Sequence, residues 1–191
     1  LLLLYNIKVY RIGYLFFSIY IFKLQTGRKE KNMFRKMRRN KQAISFEDCE
    51  KILNENTSGV LALSGDNGYP YAVPLSYVYS NGCIYFHCAL EGHKIDAIKS
   101  CNKASFCIID KDTIVPGEYT TYFKSVIAFG KIQILDNTED KMEAIKKLAA
   151  KYSPLESTEN TLETINSSWE RFYIARLSIR HLSGKQAKEL V

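Results

Sequence analysis

YPYAVPLSYVYSNGCIYFHCALEGHK, residues 69–94, is the stretch on which the fold turns. Tyr71, Val73, Leu75, Tyr77 and Tyr79 alternate with Ala72, Pro74, Ser76 and Val78, the two-residue period of a β-strand. Ser80-Asn81-Gly82 follows as a hairpin turn, because Asn and Gly both tolerate positive φ. The returning strand sets Cys83, Tyr85 and His87 on one face and Ile84, Phe86 and Cys88 on the other. Pro74 cannot donate to a ladder, so its strand is an edge or carries a bulge. Polar groups gather at the far end: His87, Cys88, Glu91, Gly92, His93 and Lys94. Gly92 opens a helix there, and first-turn N–H groups beside the Lys94 charge form a candidate anion site. A solvated lysine at a helix start is the plainer alternative.

Outward from the hairpin, Ser45 begins a helix-capping pattern with Asp48 at the third helical position. Phe46, Cys49, Ile52 and Leu53 share one face of that helix, which ends near residues 54–56. Residues 57–64 read as a buried strand, and Asn67-Gly68 as a second tight turn. Downstream, residues 103–110 and 121–135 are strands separated by a loop, KDTIVPGEY. Gly130 marks a bend or bulge in the longer one. Residues 138–152 form a helix with Met142, Ile145, Leu148 and Ala149 inward; Pro154 ends it. Residues 156–165 read as a short helix or lid, and residues 169–180 as the last strand. About six strands and three helices, joined mostly by hairpins, predict a mainly β fold: an antiparallel barrel with flanking α-helices rather than a βαβ sheet.

The chain has 191 residues, 46% of them hydrophobic, with 13 Tyr and 10 Phe, enough for one β-rich domain and an extension. Its formal charge of +7 is local. Nine Lys or Arg and one Glu fall between Lys23 and Lys41, which leaves the remainder near neutral and argues against nucleic-acid binding by the domain. The five cysteines, Cys49, Cys83, Cys88, Cys101 and Cys107, lack zinc-ligand spacing and read as reduced thiols of a cytoplasmic protein, with no metal site. Residues 1–32 are apolar but interrupted by Lys8 and Arg11. Their longest uncharged run, residues 12–22, is short of the about 20 residues a spanning helix needs. Met33 is therefore expected to be the natural start, with residues 1–32 an unmatched extension, residues 33–191 the folded domain, and no membrane partner. There is no P-loop, no G-x-S-x-G and no internal repeat.

MFRKMRRNKQ (33–42), SGVLALSGDNGYPYAVPLSYVY (58–79), IYFHCALEGHKIDAI (84–98) and TTYFKSVIAFGKI (120–132) together resemble the pyridoxamine 5′-phosphate oxidase-like flavoproteins, and within them the nitroimidazole-resistance (Nim) group. The resemblance runs from Met33 to about Lys185. It implies a split β-barrel and a homodimer with FMN at the interface. It implies that Val73, Pro74, Leu75, Ser76 and Tyr77 run beside the flavin ring, and that His87 and Cys88 stand at the cofactor-facing strand end. His93 and Lys94 match the phosphate-binding pair. Ser125 matches a position near the cofactor, and His181, Leu182 and Lys185 match the element that reaches the partner's flavin. Two departures argue against vitamin B6 oxidation. Tyr71 stands where the oxidases have arginine, and their substrate-binding arginine and histidine cluster has no counterpart after Lys185.

The function expected is an FMN-dependent oxidoreductase that reduces a small electron acceptor such as a nitro-aromatic. NADH or NADPH is a possible donor, and His87 supplies a proton. The alternative is a flavin- or haem-holding protein without turnover, in which His87 is a hydrogen-bonded interface residue.

Overall fold

The computed structural model describes residues 33–191. The chain divides into Leu1–Lys36, of which only residues 33–36 are described, and Met37–Val191, which carries the sheet and its helices. The extension expected at residues 1–32, and with it the expected start at Met33, lies outside the described residues.

Among the described residues seven strands form one sheet: β1 (Ser58–Ser64), β2 (Pro70–Ser76), β3 (Val78–Ser80), β4 (Cys83–Cys88), β5 (Lys103–Val115), β6 (Thr120–Ile134) and β7 (Tyr173–Gln186). Every pairing is antiparallel, in the order β2-β1-β5-β6-β7-β4-β3. Four α-helices flank it: α1 (Phe46–Glu55), α2 (His93–Ser100), α3 (Thr138–Tyr152) and α4 (Thr158–Ser168).

This order dictates a barrel. β2 is one edge of the sheet and β3 the other, yet only Tyr77 lies between them in the chain. A flat sheet would hold its two edges many strand spacings of about 4.8 Å apart, so the sheet must curl until they meet. The barrel is closed covalently at Tyr77 and not by a ladder between β2 and β3, which makes it split.

The expected single strand through residues 71–79 is thus two strands, and the expected six strands are seven. The alternation of apolar side chains runs on through the break, so the pattern does not mark it. Among the described residues four α-helices replace the expected three, because residues 156–165 belong to α4. The expected loop KDTIVPGEY is largely strand: β5 continues to Val115 past a register shift between Ile109 and Lys111. Ile109, Ile114 and Tyr119 are exposed on that arm. The last strand starts at Tyr173, not residue 169, and continues to Gln186.

The barrel interior holds Leu61, Phe86, Phe106, Ile108, Val126 and Leu177, all buried, with Cys49, Ile52 and Leu53 of α1 and Ile95 and Ile98 of α2 against it. A second cluster lies outside the barrel, where Ala144 and Leu148 of α3 cover Val78 and Ile174. Local signals in the sequence set the elements. The Ser45 side chain accepts from the N–H of Asp48 at 3.0 Å and caps α1. Asn81 (φ 50°) and Gly82 (φ 74°) make the β3–β4 turn. At Gly130 a Cβ would stand 2.1 Å from the Ser178 carbonyl oxygen, so only glycine admits this crossing. The β6–β7 register shifts at that point, with Arg180 as the extra residue.

Candidate functional site

The side chains singled out from the sequence fall into three groups. The first surrounds His87, whose neighbours Phe86 and Cys88 point into the core while His87 faces outward. With Ser76, the last residue of the edge strand, it lines one end of a groove of about 490 Å³. The α3–α4 hairpin walls this groove. Ile145, Leu148, Ala149, Ile165 and Phe172 give it an apolar floor, and Glu156, Asn160, Thr161 and Thr164 stand along α4 and the loop before it. The sequence alone did not bring out this groove, because packing between two helices creates it. One signal was present: Thr161, Thr164 and Ser168 recur at helical spacing, a stripe of small hydroxyls on one face of α4.

Tyr77, assigned to the cofactor strand from the resemblance, is a core side chain. Its ring is fully buried, packs edge-on against Phe106 at 5.0 Å, and its hydroxyl donates to the Leu53 carbonyl at 2.9 Å. Burial raises its pKa. Its backbone is also engaged. The Tyr77 N–H donates to Tyr152 Oη at 2.9 Å, and the Tyr152 hydroxyl faces the carbonyl oxygens of Tyr77, at 2.8 Å, and Thr57. Lys151 Nζ donates to the Asn56 carbonyl at 2.6 Å and lies over the Tyr77 ring at 4.4 Å. The C-terminal turn of α3 therefore seals the closure point of the barrel. Cys88 is likewise turned inward. Its Sγ lies 3.8 Å from the Tyr173 carbonyl, and burial pushes the thiol pKa up against the opposing pull of Lys94.

Val73 and Leu75 pack on the core, whereas Pro74 and Ser76 are exposed. Pro70 and Pro74 share one phase of the strand. A proline is tolerated there only if the missing N–H would have pointed away from β1. The free edge of β2 is thus without donors at both prolines.

The second group sits at the start of α2. Gly92 takes φ 110° at the N-cap, and its carbonyl accepts from the N–H groups of Ile95 and Asp96. The N–H groups of His93 and Lys94 are left with no partner among the described residues. The His93 ring stacks on Tyr71 at 4.1 Å, and its Nε2 lies 3.7 Å from Asp66 Oδ2. Lys94 lies over the Phe86 ring at 5.7 Å, and no carboxylate among the described residues pairs with it. Unbonded N–H groups beside an unpaired ammonium are the donor set that suits a phosphate.

The third group lies on β6 and β7. Ser125 is directly opposite Lys185, Ala128 opposite Leu182, and Phe129 opposite His181 with ring centroids 6.1 Å apart. Leu182 packs on the core. Lys185 Nζ stands over the Phe123 ring at 5.0 Å. Burial lowers the pKa of His181. Along β7, Lys185 is about 36 Å of extended strand from Ile174, the residue opposite His87, at roughly 3.3 Å per residue. Among the described residues, no three His, Cys, Asp or Glu side chains converge as metal ligands, and no helix is long and apolar enough to cross a membrane.

The family model for pyridoxamine 5′-phosphate oxidase matches residues 45–186. Among solved structures, a protein from Bacteroides thetaiotaomicron named for 5-nitroimidazole antibiotic resistance superposes with a TM-score of 0.66 at 19% identity, covering 75% of this chain and 86% of that one. A conserved hypothetical protein from Mycobacterium tuberculosis gives 0.70 at 18% identity, covering 82% and 92%. An FAD-binding protein from Mesorhizobium loti gives 0.52 at 24% identity, covering 76% and 97%. These likenesses establish a shared fold. No curated protein matches the chain.

Proposed function

The chain belongs to the pyridoxamine 5′-phosphate oxidase family, and on that premise we propose that it is an FMN-holding oxidoreductase that reduces a small electron acceptor, a nitro-aromatic being the model substrate. The observation that carries this reading is the placement of His87, an outward-facing imidazole at the end of a groove large enough for a small molecule.

The donor set at the start of α2 fits the cofactor's phosphate. Lys94 and the N–H groups of His93 and Lys94 would hold it, and the free edge of β2 would border the ring. A bound flavin supplies the electrons. His87 holds a proton where the groove meets the edge strand, and imidazole exchanges protons near neutral pH. The α3–α4 hairpin orients the acceptor and keeps bulk water from it.

Lys185, with Ser125 opposite it on β6, lies far along the β6–β7 ladder from His87, so a homodimer, in which these residues and His181 serve the partner's cofactor, is part of the proposal. Its supports are that separation and the exposed Ile109, Ile114 and Tyr119 on the β5–β6 arm. NADH or NADPH is the proposed donor. All five cysteines are free thiols, which suits a reducing compartment, and a cytoplasmic location is proposed.

The test is spectroscopic. The purified protein is expected to be yellow, to bleach under anaerobic NADH or NADPH, and to recover its colour when a nitroimidazole is added. Replacing His87 by Ala is expected to leave FMN bound and slow recovery by about a hundredfold or more. Unchanged recovery in that variant removes His87 from the reaction. A flavin that stays oxidised with every donor leaves a carrier without turnover, and a Soret band points to haem.

A further inference from the structure

We propose that the groove beneath the α3–α4 hairpin binds a flat, uncharged or positively charged small molecule and rejects anions, with Glu156 setting that preference. This deepens the reading above and rests on it only in taking the bound molecule to be the electron acceptor.

The observation is an absence of Lys and Arg from the described lining of the groove. Among the described residues no Lys or Arg lines it, although α3 carries four lysines. Three of the four are anchored elsewhere. Lys141 donates to the Trp169 carbonyl at 2.7 Å and lies over the rings of Trp169 and Phe172. Lys147 pairs with Glu143 at 2.6 Å, and Lys151 is bound to the Asn56 carbonyl. The fourth, Lys146, is exposed and outside the lining.

What remains in the groove is one carboxylate, one imidazole and neutral groups. Asn160 Nδ2 donates to Glu156 Oε2 at 3.4 Å, which holds the carboxylate at the rim. The positive end of α4 would by itself draw an anion to this rim. Glu159 in the first turn and Glu156 just before it already answer that charge. The hydroxyls of Thr161, Thr164 and Ser168 are neutral, so they can meet a nitro or amide group without favouring ionic ligands. The apolar floor suits a flat ring, and a volume of about 490 Å³ admits a molecule of one or two rings. A phosphorylated or carboxylated ligand would be desolvated on that floor with no Lys or Arg among the described lining residues to pair with, which is costly.

The experiment is calorimetric titration of the flavin-loaded protein with three probes of one scaffold: a neutral nitroimidazole, its N-carboxymethyl derivative and its N-aminoethyl derivative. The neutral and cationic probes are expected to bind more tightly than the anionic one by roughly two- to tenfold, a gap that narrows in high salt. Glu156→Gln is expected to shrink the gap and Glu156→Lys to invert it, with flavin content unchanged. Thr164→Trp and Ala149→Phe, which fill the groove from different helices, are each expected to weaken all three probes. Equal affinity for the three probes, no binding of any, or an unchanged ranking in Glu156→Lys overturns the inference. If the ranking holds but no donor reduces the flavin, the reductase reading fails and the charge selection stands. If the flavin cycles and the ranking is absent, the charge selection fails alone.

Discussion

The Tyr77 N–H donates to Tyr152 Oη at 2.9 Å, across 75 residues of sequence, at the one residue through which the barrel passes from its first edge to its last. A residue between two strands at opposite sheet edges has no ladder partner, so its N–H and carbonyl need another. The phenol of α3 supplies both a donor and an acceptor.

Removing that phenol oxygen tests the arrangement directly. Tyr152→Phe keeps the ring and leaves the Tyr77 backbone unsatisfied, which is expected to cost about 1–3 kcal/mol. Thermal melting should fall by several degrees. Because Tyr152 also lines the groove, acceptor affinity should weaken along with stability. A variant that melts with the parent protein would show that water satisfies the closure point equally well.

Lys94 offers a test of the cofactor's anchor. Lys94→Ala is expected to weaken FMN binding by roughly tenfold, the loss of one charge-assisted hydrogen bond, while riboflavin affinity changes little. Equilibrium titration with the two flavins separates a phosphate contact from general damage. Equal losses for both would refute a phosphate role for Lys94.

His181 gives the protein a component of acid sensitivity. Burial lowers its folded-state pKa below the ordinary 6.5. Between the two values the unfolded chain binds more protons, so stability rises with pH there and is lost as pH falls through 6.5 toward the folded pKa. Chemical denaturation from about pH 8 to about pH 5 should show a shallower acid-side loss in His181→Asn than in the parent. Identical slopes would mean that His181 titrates alike in both states.

The cysteines should separate by reactivity. Hydrogen bonds from the Lys103 N–H and the Ser64 side chain lower the pKa of the half-exposed Cys101, whereas burial pushes Cys49 up to about 11. Alkylation of the native protein, followed by mass spectrometry, should modify Cys101 well before Cys49 or Cys88. Early modification of Cys49 would indicate that α1 opens from the barrel.

Local chemistry made much of this fold legible. Asn81-Gly82, Ser45 with Asp48, and the shared strand face of Ile84, Phe86 and Cys88 each carry their own signal within a few residues, and each of these local features is present. Gly130 marked the bulge because no side chain fits beside Ser178. What escaped was non-local. The break at Tyr77 is invisible because the apolar alternation continues through it, and only the pairing of distant strands reveals that β2 and β3 lie at opposite edges. The β5–β6 arm resembled a loop because solvent on both sides removes the in-and-out pattern. The inward turn of Cys88 and the core position of the Tyr77 side chain follow from strand phase. Family likeness alone identified a strand end without saying which side chains it presents.

The extra residue at Arg180 acts on β7 as a single-base insertion acts on a gene. Upstream of it the odd-numbered Ala175, Leu177 and Ile179 point inward; downstream the inward set is Leu182 and Gly184, and His181 and Lys185 are sent to the opposite face. Parity, not composition, assigns each residue its side. Strict alternation through Arg180 would drive His181 and Lys185 into the core and turn Leu182 out, whereas a chain lacking Arg180 would pair without the bulge and keep each on its present face. With Arg180 present, the C-terminal third of the strand can carry polar side chains on its outer face only because one residue upstream is out of step.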